Sequence, residues 1–252
     1  MTETSDARAA VLARLADAIV AHAVGHPLRV AVDGVDGAGK TTLADELAPL
    51  VAGRGRTPIR ASIDGFHHPR AERYGRGATS PDGYYLDSFD HDALISELLA
   101  PLGPEGDRRY RLRVFDHRTD RPADAEVGVA PQDAVLILDG VFLHRPEVLP
   151  FFDVTVFVRV SFETALARVS VRDAGEMGGT GAAVDRYERR YVPAQRRYLA
   201  DVRPEILADV VLLNDDPAAP ELFVRRPTAT APGPSRFSRL APRPGADQHR
   251  SP

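Results

Sequence analysis

Apolar positions along this chain follow two rhythms. Over residues 6–22, Val11, Leu12, Leu15, Ile19 and Val20 recur at three- and four-residue spacing, which predicts an amphipathic helix packed beside the first strand. A continuous apolar run at 28–32 then leads through a glycine-rich turn to Leu43, Ala44, Leu47 and Leu50, again at helical spacing. Short runs at 57–63, 134–138, 153–160 and 209–213 have the length and β-branched content of buried strands, and 109–115 is a further strand candidate. Helices are expected over 93–102 and 162–172. Strands alternating with helices imply an α/β fold of three layers, a mostly parallel sheet covered on both faces.

Between these elements the chain turns polar and glycine-broken. Residues 65–77 and 80–92 read as loops, and 173–181, DAGEMGGTG, is too rich in glycine for regular structure. The last of these separates two arginine-bearing helices, so a mobile lid is expected over about 173–190. From about residue 227 the chain is full of Pro, Ala, Ser and Arg and poor in large apolar side chains, the composition of a disordered tail.

The stretch 28–42, LRVAVDGVDGAGKTT, contains GxxxxGK[ST] as Gly34, Gly37, Gly39, Lys40 and Thr41, framed by strand and helix. Glycines let successive backbone N–H groups curl round a phosphate, the lysine bridges to the terminal phosphates, and the threonine hydroxyl meets Mg²⁺. The cradle comprises Gly34, Asp36, Gly37, Ala38, Gly39, Lys40, Thr41 and Thr42, and the helix N-terminus adds a favourable dipole. ATP and Mg²⁺ are therefore the expected cofactors. A Rossmann GxGxxG fails because Thr42 stands where the last glycine belongs. This divides the chain into a helix at 1–26, a P-loop domain at 27–225 and the tail at 226–252.

Composition sharpens the picture. Of 32 basic residues Lys40 is the only lysine. Arginine serves everywhere else, and the exception falls where a compact ammonium fits between phosphate oxygens and a planar fork does not. Lys40 is expected to be solvated and to hold no core. Net charge is −4, which gives nucleic acid no global basic surface. There is no cysteine, no signal-peptide layout and no apolar run of membrane-spanning length, so a soluble cytoplasmic protein is expected. Self-association is compatible with all of this.

A guanine-reading NKxD element would need a second lysine, and no LSGGQ-like segment suggests a transporter ATPase. A small-molecule kinase needs an acceptor pocket, a carboxylate at the acceptor hydroxyl and arginines over the transferring group. Asp64, at a strand's C-terminal end, and Asp139, closing the apolar run 134–138, are the candidate carboxylates. Arg168 and Arg172 lie one turn apart on one helix face, and one of Tyr84 and Tyr85 is expected to face the pocket, taken as Tyr84.

The segments LRVAVDGVDGAGKTTLADELA, SIDGFHHPR, SFDHDAL, VLILDGVFL and RYVPAQRRYLADVRPEILADVVL resemble the uridine kinase and phosphoribulokinase family over roughly residues 28–215. The resemblance implies that Asp64 acts as base on the acceptor hydroxyl, with Phe66 and His67 beside it. It implies Mg²⁺ held by Asp139 with Thr41, and with Asp64 nearby. Ribose binding would fall to Asp90, and the lid arginines to Arg168 and Arg172, with Arg186, Arg189 or Arg190 as substitutes. FDHRTD puts Phe115, Asp116 and Asp120 where uridine kinases carry YDFxxH. An ionised Asp120 accepts hydrogen bonds only, so acceptors bearing an amino group are expected ahead of uridine. Phosphorylation of a hydroxyl on a small metabolite, most like a nucleoside such as uridine or cytidine, is the expected activity. Pantothenate or a sugar as acceptor, or a P-loop ATPase working on a protein partner, are the alternatives.

Overall fold

The computed structural model describes residues 3–225, and the expected tail at 226–252 lies outside the described residues. The helices are α1 (Glu3–Val20), α2 (Lys40–Ala52), α3 (Arg70–Arg73), α4 (Pro81–Asp87), α5 (His91–Leu94), α6 (Phe162–Arg172), α7 (Ala174–Met177), α8 (Thr180–Arg186), α9 (Val192–Val202) and α10 (Pro204–Leu207). The strands are β1 (Leu28–Gly34), β2 (Pro58–Ser62), β3 (Arg109–Tyr110), β4 (Phe115–Asp116), β5 (Arg121–Pro122), β6 (Gly128–Val129), β7 (Val135–Gly140), β8 (Val154–Arg159), β9 (Val210–Leu213) and β10 (Glu221–Val224).

Six of these strands form one sheet in the order β10-β9-β8-β1-β7-β2, parallel except for β10, which runs antiparallel to β9. Alternation along the strands splits the core into two layers. Val30 and Val32 of β1, with Val135 and Ile137 of β7, pack under Leu15, Ile19, Leu43 and Leu47 of α1 and α2. Ala31, Leu136 and Leu138 face the opposite side, against Leu94, Leu98, Phe142 and Tyr198. Each buried aliphatic side chain of this kind contributes roughly 1.5–3 kcal/mol, which is why the central strands carry so few polar positions.

Helix α1 packs on β1 and beside α2, to which it is tied by Arg8 to Glu46 at 2.5 Å and by Arg54 to Asp17 at 2.6 Å. Several other elements differ from the sequence expectation. The second strand stops at Ser62, and Asp64 sits in a 3₁₀ turn over Ile63–Phe66 whose first amide is capped by Ser62 Oγ. Segment 80–92 contains α4, opened by Pro81 after the Ser80 cap, and α5, which runs on as a π turn at Ile95–Leu99. Residues 109–116 carry two separate two-residue strands in place of one, β3 pairing β6 and β4 pairing β5. The glycine-rich 173–181 segment is helical on both sides of Gly178 and Gly179, the two residues that take positive φ there. The antiparallel edge strand β10 had no distinct pattern in a sequence read for parallel units.

Candidate active site

Register brings the site together. β1 and β7 pair with Val32 opposite Asp139, and β7 and β2 pair with Asp139 opposite Ser62. The C-terminal ends of three adjacent strands therefore open the glycine loop, Asp139 and the turn carrying Asp64 onto one edge, the crevice where parallel sheets bind ligands.

Gly37 and Gly39 adopt φ of 77° and 90°, and a Cβ on them would approach Ala165 O to 2.5 Å and Asn214 Nδ2 to 2.8 Å. The loop thus needs glycine for both conformation and space. Among the described residues, the amides of Gly37, Gly39, Lys40, Thr41 and Thr42 have no hydrogen-bond partner, and α2 has no side-chain cap. Five free N–H groups at a helix N-terminus fit a polyphosphate. The other three loop amides are spent within the protein: Gly34 on Asp33 Oδ1 (2.7 Å), Asp36 on Gln195 Oε1 (3.3 Å) and Ala38 on Val35 O (3.1 Å). The phosphate cradle is narrower than expected for that reason. Lys40 is not solvated either: it is 8% exposed and its Nζ donates to Val35 O at 2.8 Å, leaving two ammonium protons for phosphate.

Thr41 Oγ1 donates to Asp139 Oδ2 at 2.7 Å, while Arg60 Nη2 donates to Asp139 Oδ1 at 2.9 Å. A hydroxyl against a buried carboxylate suits Mg²⁺, and no cluster of three metal-ligating side chains surrounds it among the described residues. The donor set therefore fits a magnesium ion that arrives with its own water and phosphate oxygens, with Thr41 and Asp139 as its protein partners.

Asp64 has its side chain 63% exposed at the mouth of the crevice, with His67 Nε2 at 4.0 Å. The surrounding protein pushes its pKa up, Asp36 and Asp139 add to the rise, and His117 and Lys40 oppose it. His67 stacks against Phe89 and His117, with centroids at 4.5 and 4.7 Å. Burial, then the nearby His117 and Arg73 charges, lower its pKa to about 3, so it is neutral at physiological pH. Across the crevice, Asp36 Oδ2 accepts from Tyr84 Oη at 3.1 Å and from Gln195 Nε2 at 2.6 Å. Arg172 is locked to Asp173 at 2.6 Å, which raises its pKa, and Asp173 also accepts from Tyr187 Oη at 2.7 Å.

Other expected residues have structural work. Phe66 is fully buried in the core beneath the 3₁₀ turn, so it supports Asp64 and presents no surface to a ligand. Asp90 caps α5 by accepting from Ala93 N at 2.8 Å. Phe115 is buried in the β4–β5 hairpin, and Asp116 closes that hairpin's turn through Arg118 N at 2.9 Å. Asp120 Oδ1 accepts from Arg70 N at 2.7 Å and faces Arg73 at 3.4 Å, which ties the hairpin to α3 through one of its two carboxylate oxygens. Arg168 donates to the carbonyls of Gly37, Asn214 and Asp215 at 2.9–3.2 Å, and so braces the glycine loop, while Arg172 is held by Asp173 and Tyr187. Arg190 is 2% exposed, holding the carbonyls of Arg73, Gly77, Ala78 and Ser80, and Arg186 bonds the hydroxyls of Tyr74 and Tyr191. Arg189 pairs with Asp185 on the surface.

The sequence reading passed over His117, Gln195 and a buried trio behind the glycine loop. Asp33, wholly buried at the end of β1, accepts from His144 Nδ1 at 2.6 Å and from Tyr198 Oη. A carboxylate interrupting an apolar strand was a legible signal for Asp33, and Gln195 between buried Ala194 and Tyr198 was one for α9. Nothing local marks His117.

No protein-family model matches the chain. It is 26% identical over 188 residues to a uridine kinase of Leuconostoc citreum, covering 71% of this chain and 88% of that one. It is 24% identical over 203 residues to uridine-cytidine kinase B of Dictyostelium discoideum, covering 79% and 81%. Among solved structures, a possible uridine kinase from Bacillus stearothermophilus superposes with a TM-score of 0.64 at 25% identity, over 81% of this chain and 97% of that one.

Proposed function

We propose that this chain, similar to uridine kinases and with the fold of a P-loop kinase, transfers the γ-phosphoryl group of ATP to a hydroxyl of a small metabolite, most like a nucleoside. One observation carries the reading: five free amides at the start of α2 open onto the same sheet edge as the exposed carboxylate of Asp64. A donor site and a base thus share one crevice.

In this account Asp64 takes the acceptor's hydroxyl proton. The acceptor oxygen then bonds to the γ-phosphorus as the β–γ bridge bond breaks, giving ADP and a phosphoester. Lys40 and the α2 amides hold the phosphates, and Thr41 with Asp139 would hold Mg²⁺, which would supply charge neutralisation. Arg172 is the lid arginine this reading assigns to the transferring phosphoryl group, its charge and that of Asp36 being mutually felt. The test is acceptor-dependent ADP formation over a panel of nucleosides, sugars and pantothenate, with the phosphorylated product identified by mass. An ATPase working on a protein partner would show turnover indifferent to every added metabolite.

A further inference from the structure

Asp36 lies inside the glycine loop, yet nothing about it serves phosphate. Its amide is turned away to Gln195 Oε1, and an anionic side chain beside a polyphosphate would repel it. The carboxylate is instead built into the opposite wall. Gln195, 2% exposed, grips Asp36 at two points, amide to Oε1 and Nε2 to Oδ2. Tyr84, buried against Phe142 and Tyr191, donates its hydroxyl to the same Oδ2. Oδ1 has no partner among the described residues and is not sealed from solvent. Two buried side chains on two helices therefore hold one carboxylate oxygen and leave the other free, near enough to Asp64 for the two charges to be felt mutually.

We propose that Asp36 is an acceptor-binding residue that selects for chemical class: its free oxygen takes a second hydroxyl or an amino group of the acceptor, and its charge excludes acceptors carrying a carboxylate or phosphate. Gln195 and Tyr84 are positioning residues acting through it. This rests on the phosphotransferase reading above and narrows its acceptor to neutral or cationic polyols, amino alcohols and nucleosides. The cations that could offset the two acids are committed elsewhere: Lys40 to Val35 O and to phosphate, Arg172 to Asp173, Arg190 to four carbonyls, and His67 is neutral. An anionic acceptor would meet Asp36 and Asp64 together, and His117, stacked on His67, is the remaining group beside Asp64 that can carry an opposing charge.

The test compares kcat/KM for matched neutral and acidic acceptors with the full chain: uridine against orotidine, pantothenol against pantothenate, and glycerol against glycerate. For whichever pairs are turned over, the neutral member should lead by at least about tenfold in wild type, since like charges in a desolvated site are strongly disfavoured. Asp36→Asn should collapse that ratio by raising the acidic member, and Gln195→Leu, which leaves the carboxylate but removes its clamp, should raise KM for the neutral acceptor severalfold with KM for ATP within about twofold. Transfer with the same ratio in Asp36→Asn, or an anionic acceptor preferred by wild type, overturns this proposal and leaves the kinase reading standing. No transfer to any of the six compounds by wild type overturns both.

Discussion

Thr41 and Asp139, 98 positions apart in the chain, meet through a 2.7 Å hydrogen bond that joins the first turn of α2 to the end of β7. The contact fixes a hydroxyl and a buried carboxylate at the sheet edge, with Arg60 holding the second carboxylate oxygen.

Replacing that carboxylate separates metal binding from the rest of the site. Asp139→Asn should raise the Mg²⁺ concentration for half-maximal ADP formation by about tenfold and cost about 1–3 kcal/mol of stability, because Arg60 loses its buried partner. A magnesium titration beside a urea melt reads both, and an unchanged half-saturation point would remove Asp139 from the metal site.

Lys40 is the second case. Its burial against Val35 means that Lys40→Met loses one hydrogen bond as well as the phosphate contact. The expected result is a loss of turnover of about a hundredfold or more with a stability change of only about 1 kcal/mol. Lys40→Arg should be no better in turnover, since a planar fork does not fit beside the Val35 carbonyl. Near-full turnover in the arginine variant would show that the lone lysine has no special place.

The pH profile should report Asp64. Its pKa is raised above the usual carboxylate range, and the base works ionised, so kcat/KM should fall as pH drops through that raised value. Asp36 contributes to the rise, so Asp36→Asn should move the acid limb to lower pH, and Asp64→Asn should abolish it. An acid limb that stays in place in both variants belongs to another group.

Acid should also weaken the fold through two buried histidines. His67 and His91 titrate near about 3 and about 4 in the folded chain, against 6.5 for an ordinary imidazole, burial being the main cause in each. Protons therefore favour the unfolded chain: the stability is complete above pH 6.5 and is lost as pH falls from there towards the folded values. The urea midpoint should decline over that window, and less steeply in His91→Gln. Parallel pH slopes for the two proteins would contradict this.

The strand–loop–helix around Lys40 and the strands that lead to Asp139 and towards Asp64 were legible because each is a local pattern with a local cause: apolar runs, positive-φ glycines, a helix start. Helix α6 is found at the residues its periodicity indicates. The wall opposite Asp64 was not legible, since Asp36, Tyr84 and Gln195 are brought together by packing between α4, α9 and the glycine loop, and no spacing in the chain encodes that. Asp120 shows the same limit in reverse. Similarity to a motif points to a base reader, while its Oδ1 also anchors the hairpin on Arg70 and Arg73, a contact that no motif encodes.

The central claim, phosphoryl transfer from the crevice between the α2 amides and Asp64 to a small hydroxyl acceptor, is tested most directly by ADP formation with and without acceptor in wild type and Asp64→Asn. The account predicts ADP that rises with acceptor and matches phosphorylated product one for one, and an Asp64→Asn protein whose turnover drops about a hundredfold or more while KM for ATP holds. ADP formation that ignores every acceptor and survives Asp64→Asn would contradict it.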